Sequence, residues 1–306
     1  MTVNSQRFCG VHAATVCPMK PDFSIDEAAL ARHVASVAKT PGVEGLLING
    51  HAGENFVLTR EELRRVVAVV RSVVPDTCWI TAGVNAESSL EAARLAADAE
   101  AGGADALLVF PPNSWGLQHD AEMVLLHHRQ VMDATTLPIM LYQAPVGAGR
   151  MAYTLAEIEK LIAFDRVAAI KEGSWEVAAY EQNYRFVKQR RPGIAVLGSG
   201  DEHLLTCYVI GSDGAQVSLA AVVPELIASL HQAVSSGDWP RARKLHEKIY
   251  PLSVAIYRAQ PGNRATVRLK MCLKILGRLD CDAVRPPIVA AAEDYPVLER
   301  ALKAAL

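Results

Sequence analysis

The sequence predicts a (β/α)8 TIM barrel with a C-terminal helical extension. Three observations carry this reading. Short apolar runs, eight in number, alternate with longer amphipathic segments along the 306 residues. The runs are apolar throughout rather than every second residue, as strands buried on both faces of a parallel sheet must be. Eight βα units also fit the usual length of such a barrel, about 250 residues, with chain to spare. A doubly wound open sheet is the alternative. It is disfavoured because no G-x-G-x-x-G turn follows the first apolar run.

The strand candidates, in order, are "CGVHAATV" from Cys9, "VEGLLIN" from Val43, "CWITAGV" from Cys78 and "ADALLVF" from Ala104. Then come "LPIMLYQ" from Leu137, "VAAIKEG" from Val167, "IAVLGSG" from Ile194 and "GAQVSLA" from Gly214. Between them, segments such as "TREELRRVVAVVRSVV" and "SLEAARLAADAEAGG" repeat their apolar residues at helical spacing. Thr59 and Glu62 have the S/T-x-x-E spacing of a capping box. Asp26, Ser88 and Thr154 are further N-caps, and "AGG" at 101–103 is a C-cap.

The last strand is expected to end near Ala220, with "PELIASLHQAVSSG" as its helix. Three more helical segments follow: "DWPRARKLHEKIYPLSVAIYRA", "RATVRLKMCLKILGRL" and a final helix around "VLERALKAAL". The expected division is therefore a barrel over 1–235 and a helical extension over 236–306.

Composition narrows the function classes. With 51% hydrophobic residues the chain can bury a large core, and its formal net charge is only -2. No basic stretch interleaves with aromatics, so nucleic acid is not an expected partner. The apolar runs are short and broken by charge, so no membrane span is expected. The opening "MTVNSQRFCG" lacks the layout of a signal peptide, and a cytoplasmic location is expected. The six cysteines form no CxxC pair and no histidines cluster at zinc spacing. They are expected to be reduced core thiols, with no structural metal.

One residue sits oddly in this pattern. Lys171 lies near the end of the sixth apolar run, where a buried ammonium is costly unless paired or neutralised. A lone strand lysine ordinarily buries its stem and sends its head to water. In a barrel, however, the C-terminal strand ends form the active site. Alternation puts Val167, Ala169 and Lys171 on one face, and the small Ala169 leaves room for an inward lysine. On the fifth run Met140 and Tyr142 share a face, which sets a tyrosine and a lysine at one barrel mouth. Taken alone, Tyr142 fits a hydrogen-bonded core tyrosine equally well.

Several motifs then fall in register. "GHAGE" spans Gly50 to Glu54, "YQAP" spans Tyr142 to Pro145, and "IKEGS" spans Ile170 to Ser174. "VCPMKPDFSID", "GSGDE", "GAQVS" and "LKMCLKILG" complete the set. In this order and spacing the chain resembles the dihydrodipicolinate synthase and N-acetylneuraminate lyase family of class I aldolases. The resemblance covers nearly the whole length. It implies that Lys171 forms a Schiff base with pyruvate or a related 2-oxo acid, and that Tyr142 moves protons. It implies a carboxylate site in the "GHAGE" loop, through Gly50, His51 and Ala52, whose backbone N–H groups can form an anion nest. Asn113, Gly200 and Val217 are the remaining expected substrate contacts. No metal or organic cofactor is implied, since the lysine supplies the electrophile. A homotetramer is implied by the resemblance alone.

The chain also departs from the pattern. His51 and Ala52 replace the usual hydroxyl pair of the loop. His51 then either donates protons, having an ordinary pKa of about 6.5, or only lines the pocket. The arginine that clamps the aldehyde carboxylate in dihydrodipicolinate synthases corresponds to Gly147, with Arg150 out of register. A tyrosine after the fourth strand corresponds to the region of Asn113 in "FPPNSWG". These departures argue against aspartate semialdehyde as the second substrate. Trp115 and His119 are expected either to shape a less anionic aldehyde pocket or simply to pack their loop.

The leading expectation is a lyase that joins or cleaves a 2-oxo acid and an aldehyde. The alternative is a dehydratase or hydratase-aldolase acting on a sugar acid or 2-oxo acid through the same imine. A second alternative is a silent member that only binds 2-oxo acids. A phosphate-binding barrel is disfavoured, because "VSLAAVVPE" lacks a glycine-rich cup.

Overall fold

All eight apolar runs form strands. They are β1 (Gly10–Ala14), β2 (Val43–Ile48), β3 (Trp79–Val84), β4 (Ala106–Val109), β5 (Ile139–Gln143), β6 (Val167–Glu172), β7 (Ala195–Gly198) and β8 (Gly214–Val217). Each pairs in parallel with the next, and β8 returns to β1, which closes the barrel and rules out the open sheet. This is a computed structural model, and it describes residues 5–306. The opening "MTVN", on which the reading of the leader partly rests, lies outside the described residues.

Helices connect the strands on the outside: α1 (Glu27–Ala38), α2 (Arg60–Val73), α3 (Ser89–Ala101), α4 (Ala121–Asp133), α5 (Leu155–Ile162), α6 (Val177–Arg190) and α7 (Leu204–Ile210). A short turn of helix α8 (Leu219–Val222) and then α9 (Pro224–Ser235) follow β8. The predicted caps are in place at most ends. The Asp26 side chain accepts from Ala29 N–H, and both Thr59 and Thr154 make full capping boxes, with Glu62 and Glu157. Gly102 is the C-cap of α3 and Gly103 turns the chain at φ +92. Ser88 stands at the N-cap position of α3, but its hydroxyl makes no capping bond.

Two apolar clusters result. One fills the barrel, with Leu47, Leu108, Met140, Tyr142, Ala169 and Leu197 among its members. The other lies between the strands and the helix ring. Two expectations need correction. Val167 belongs to the outer cluster, not to the inner face of Lys171. The β5–β6 register slips between Ile139 and Met140, so one extra residue of β6 breaks strict alternation. The eighth strand stops at Val217, short of Ala220. The Leu219 N–H is taken by the Asp201 carboxylate at 2.8 Å, which turns the chain into α8.

Beyond α9 come α10 (Trp239–Tyr257), α11 (Ala265–Ile275) and α12 (Asp294–Ala305). Helix α11 carries two fully buried cations. Arg268 pairs with Asp294 at 2.9 Å and donates to the Ile256 and Ala259 carbonyls. Lys270 pairs with Glu54, in the loop after β2, and donates to the Ala283 carbonyl at 2.8 Å.

Among the described residues no helix is long and apolar enough to cross a membrane, and no cluster of metal-ligating side chains occurs. Among the described residues no disulfide joins the cysteines. Cys17, Cys78, Cys207 and Cys272 are core thiols as expected, but Cys9 is exposed and Cys281 half-buried.

Candidate active site

The site grows out of the β5–β6 pair. Tyr142 and Lys171 are direct cross-strand partners at the C-terminal ends of those strands. Their side chains both point into the barrel, and the Lys171 Nζ lies 5.8 Å from the centre of the Tyr142 ring. Lys171 is only 8% exposed. The other buried cations, Arg268 and Lys270, have carboxylate partners; Lys171 has no ion pair among the described residues. Burial therefore pushes its pKa down from 10.5 to about 8, with the negative charge of Asp201 pulling the other way. A sizeable fraction of neutral amine is present at physiological pH, and a neutral amine is a nucleophile.

Tyr142 is 7% exposed, and burial with the nearby Glu172 charge pushes its phenol above the usual range. Glu172, next to Lys171 on the outward face, accepts from Asn183 at 2.8 Å and from the Ser174 hydroxyl at 2.9 Å. Those bonds pin the end of β6 and so the root of the lysine.

The loop after β2 faces this pair. It opens at Gly50 and makes a single 3-10 turn over His51–Gly53. Gly53 and Glu54 donate their N–H groups inward, to the Gly50 and His51 carbonyls. The His51 and Ala52 N–H groups open the turn, where such geometry leaves donors without an internal partner. The His51 ring stacks on Phe110 at 4.4 Å and meets Tyr142 edge-on at 5.4 Å. His51 is open to solvent on one side, yet the protein around its ring and the Lys171 charge push its pKa from 6.5 to about 4. Water at the open side offsets part of that push, but its direction leaves the ring neutral at neutral pH. The loop is held from behind: Thr266 donates to the His51 carbonyl at 3.3 Å, and Lys270 to the Glu54 carboxylate. Glu54 itself sits in the left-handed region at φ 61.

On the other flank the chain leaves β7 through Gly200 into Asp201. A Cβ at Gly200 would fall 2.0 Å from His203 Cε1, so a larger residue there would have to displace that ring. Asp201 is fully enclosed and accepts from Leu219 N–H and, at 3.2 Å, from the Tyr257 hydroxyl of α10. Burial pushes its carboxyl up from 3.8 to about 7. Trp175, held at φ 60 just after β6, packs 5.1 Å from Tyr257.

Residues 7–305 match the dihydrodipicolinate synthetase family. The chain belongs to that family. Its members are lyases of the class I pyruvate-dependent aldolase superfamily. A 4-hydroxy-tetrahydrodipicolinate synthase of Streptomyces coelicolor is 33% identical over 263 residues, 85% of this chain and 82% of that protein. An uncharacterized DapA-like lyase of Thermococcus kodakarensis is 28% identical over 96% of this chain and 98% of its own. The crystal structure of dihydrodipicolinate synthase from Agrobacterium tumefaciens is 26% identical, covers 99% of both chains and gives a TM-score of 0.86.

Within this family frame, the structure gathers some expected site residues and not others. Lys171, Tyr142, His51, Ala52, Gly50 and Gly200 all stand at the C-terminal ends of their strands. Asn113 also follows a strand at that end, but it is exposed, and its backbone N–H is bound by Glu87 at 2.8 Å. The Val217 side chain points away, into the outer cluster, while its neighbour Gln216 is fully buried inside the barrel. Gly147 is exposed with open space where a side chain would start, and Arg150 is exposed and turned to the Leu117 carbonyl. Trp115 and His119 do not line the mouth. They stack on each other at 5.0 Å, behind the loop, with His119 bound to Glu157 at 3.0 Å.

Sequence reasoning passed over Phe110, Asp201, Tyr257 and Gln216. Phe110 and Asp201 lay inside the quoted strand ends and carried a usable signal. Gln216 carried one too, as a polar residue in a buried strand. Tyr257 had none, because it arrives from α10.

A cleft of about 690 Å³ lies elsewhere, between α2 and α3, lined by Glu27, Arg65, Arg64 and Asp98 among others. Its charges already pair with each other, as in Arg65–Glu27 and Arg64–Asp98. It has no part in the barrel-mouth chemistry.

Proposed function

We propose that this chain is a class I lyase that carries a 2-oxo acid, such as pyruvate, as an imine on Lys171 and makes or breaks a carbon–carbon bond with an aldehyde. The observation that carries this reading is the buried lysine without an ion-pair partner, one strand from an inward tyrosine at the barrel mouth. The neutral amine attacks the C2 carbonyl, and loss of water from the carbinolamine leaves a protonated imine. That imine takes up the electron pair left when a C3 proton or a C3–C4 bond departs. The enamine then attacks an aldehyde carbon in the synthetic direction, with a proton delivered to the aldehyde oxygen. Water finally hydrolyses the imine and frees the lysine. Tyr142 is the group placed to carry protons in imine formation and at the aldehyde oxygen. The His51 and Ala52 N–H groups are placed to hold the 2-oxo acid's carboxylate.

The second substrate differs from that of the dihydrodipicolinate synthases. Gly147 offers no cation for a second carboxylate, and Arg150 is turned elsewhere. The same imine also serves a dehydratase of a sugar acid, and product analysis separates the two. An aldehyde together with pyruvate marks aldol cleavage, and loss of water from an intact carbon chain marks dehydration. The barrel over 1–235, a helical extension over 236–306, a cytoplasmic location and a homo-oligomer complete the proposal.

The test is borohydride reduction in the presence of 2-oxo acids, followed by peptide mapping. A mass increment on Lys171 is expected. Modification of a different lysine, or of none with any 2-oxo acid, would overturn the imine reading.

A further inference from the structure

Side chains inside a barrel of this kind stack in layers drawn from alternate strands. The strand pairings identify those layers here. From Gln216 the ladder runs to His12 and Gly45, and two residues further along β2 is Leu47. From Leu47 it runs through Thr81 and Ala106, and two residues on is Leu108. From Leu108 it runs through Met140 and Ala169, and two residues on is Lys171. From Lys171 it runs through Leu197 and Gly214, and two residues on is Gln216 again. Four steps of two residues close the circuit, the shear of 8 expected for this barrel. Leu47, Leu108, Lys171 and Gln216 therefore share one layer. Gln216 is the only polar companion of Lys171 within it.

Gln216 is fully buried, and neither its Nε2 nor its Oε1 has a hydrogen-bond partner. A buried amide left unmatched is costly, and such groups call for an explanation. Just beneath, in the next layer, the His12 ring is buried, and the Thr81 hydroxyl is buried and unpartnered.

The arrangement of strands says where a bound acid would meet this amide. With its imine on Lys171 of β6 and its carboxylate at the loop after β2, the acid spans the mouth. One flank is closed by the packed rings of His51, Phe110 and Tyr142, with centroids 4.4 and 4.7 Å apart. The flank these rings leave uncovered is that of β7 and β8, where Gln216 stands, so a substituent on C3 can turn toward its amide while the reacting face of C3 stays toward Tyr142. An amide both donates and accepts, which suits a hydroxyl. We propose that Gln216 is a specificity-determining residue that hydrogen-bonds a hydroxyl on C3 of the 2-oxo acid held on Lys171. This rests on the imine reading above. The preferred donor substrates are then 3-hydroxy-2-oxo acids, with pyruvate the poorer analogue that leaves the amide unpaired.

The test measures borohydride trapping on Lys171 with hydroxypyruvate and with pyruvate, in the full chain and in Gln216→Met. Rates are referred to those of Nα-acetyl-lysine, to remove the intrinsic reactivity of the two acids. The wild type is expected to favour hydroxypyruvate by about tenfold or more. Gln216→Met is expected to bring the ratio to about one while keeping pyruvate trapping. Equal rates in the wild type overturn the proposal, and they do so even if the variant fails to fold. A ratio unchanged in Gln216→Met, or equal slowing of both acids, also overturns it and leaves Gln216 as a structural residue tied through water to His12 and Thr81. Absence of trapping with both acids sinks the imine reading itself and this inference with it.

Discussion

Lys270 of α11 and Glu54 of the β2 loop form an ion pair in which both side chains are almost completely buried, at 0% and 1% exposure. It ties a helix from the last part of the chain to the loop that carries His51. The carboxylate also accepts from Arg285 N–H at 3.3 Å, and the ammonium donates to the Ala283 carbonyl, so neither charge is left bare. The pair therefore reads as a brace that sets the loop's position. Lys270→Met should strand the Glu54 charge and destabilise the fold by about 3–5 kcal/mol, as measured by denaturant unfolding. The double change with Glu54→Gln should recover part of that loss. A Lys270→Met variant as stable as wild type would show that the brace carries no weight.

Lys171 sets the pH dependence. Its folded pKa, about 8, lies below the ordinary 10.5. The reactive form is the neutral amine, so the rate of imine formation should rise with pH and level off above about 8. The same shift has a stability sign. Between about 8 and 10.5 the unfolded chain binds the proton that the folded chain has released, so this group makes stability rise with pH across that window. Below it the cost is fully present, and Lys171→Met should be more stable than wild type at neutral pH. A flat trapping profile between pH 6 and about 9 would remove the argument for a depressed amine.

Asp201 acts on that lysine from the β7 side, and its negative charge raises the Lys171 pKa. Asp201→Asn keeps an oxygen for Leu219 N–H and Tyr257 but removes the charge. The trapping profile should then move to lower pH, with the fold retained. Movement to higher pH, or none, would show that the two groups do not interact.

Tyr142→Phe should keep the fold and the pairing with Lys171, and lose about 10²–10⁴-fold in turnover. The measurement is steady-state turnover alongside thermal unfolding. Unchanged turnover would make Tyr142 a packing residue.

The architecture was legible because periodicity is a property of neighbours in sequence. Eight continuous apolar runs can be buried on both faces only in a parallel sheet, and each run formed its strand. What stayed hidden depended on pairs distant along the chain. The slip in register that moves Val167 outward is visible only when β6 lies against β5. The end of β8 depends on Asp201 taking the Leu219 N–H, and Asp201 is contributed by the turn after another strand. Lys171 and Tyr142 could be placed at one mouth from alternation near the strand ends, where register is intact. For Trp115 and His119 the sequence left pocket and packing open, and the structure bears out packing. A tryptophan and a histidine on a mouth loop look functional, but the loop folds them back onto α4 and α5, where Tyr153, His127 and Glu157 receive them.

The last prediction concerns His51, where this chain departs furthest from the hydroxyl pair expected of its relatives. The loop's N–H donors belong to the backbone, and Thr266 and Lys270 hold that backbone from behind. Removing the imidazole should therefore leave the proposed carboxylate site standing. The ring itself lies against Phe110 and Tyr142, beside the phenol we propose moves protons. With its pKa pushed down toward about 4 it is neutral at neutral pH, able to donate from one nitrogen and accept at the other. His51→Ala should thus lower kcat and kcat/KM together, the mark of an interaction made in the transition state, and leave the affinity for pyruvate as imine nearly unchanged. The wild-type dependence on this ring should show no inflection near 6.5, because burial and the Lys171 charge have moved its titration to more acid pH. A variant that loses imine affinity alone would place His51 in the carboxylate site. A variant that loses nothing would make the imidazole a lining group stacked on Phe110.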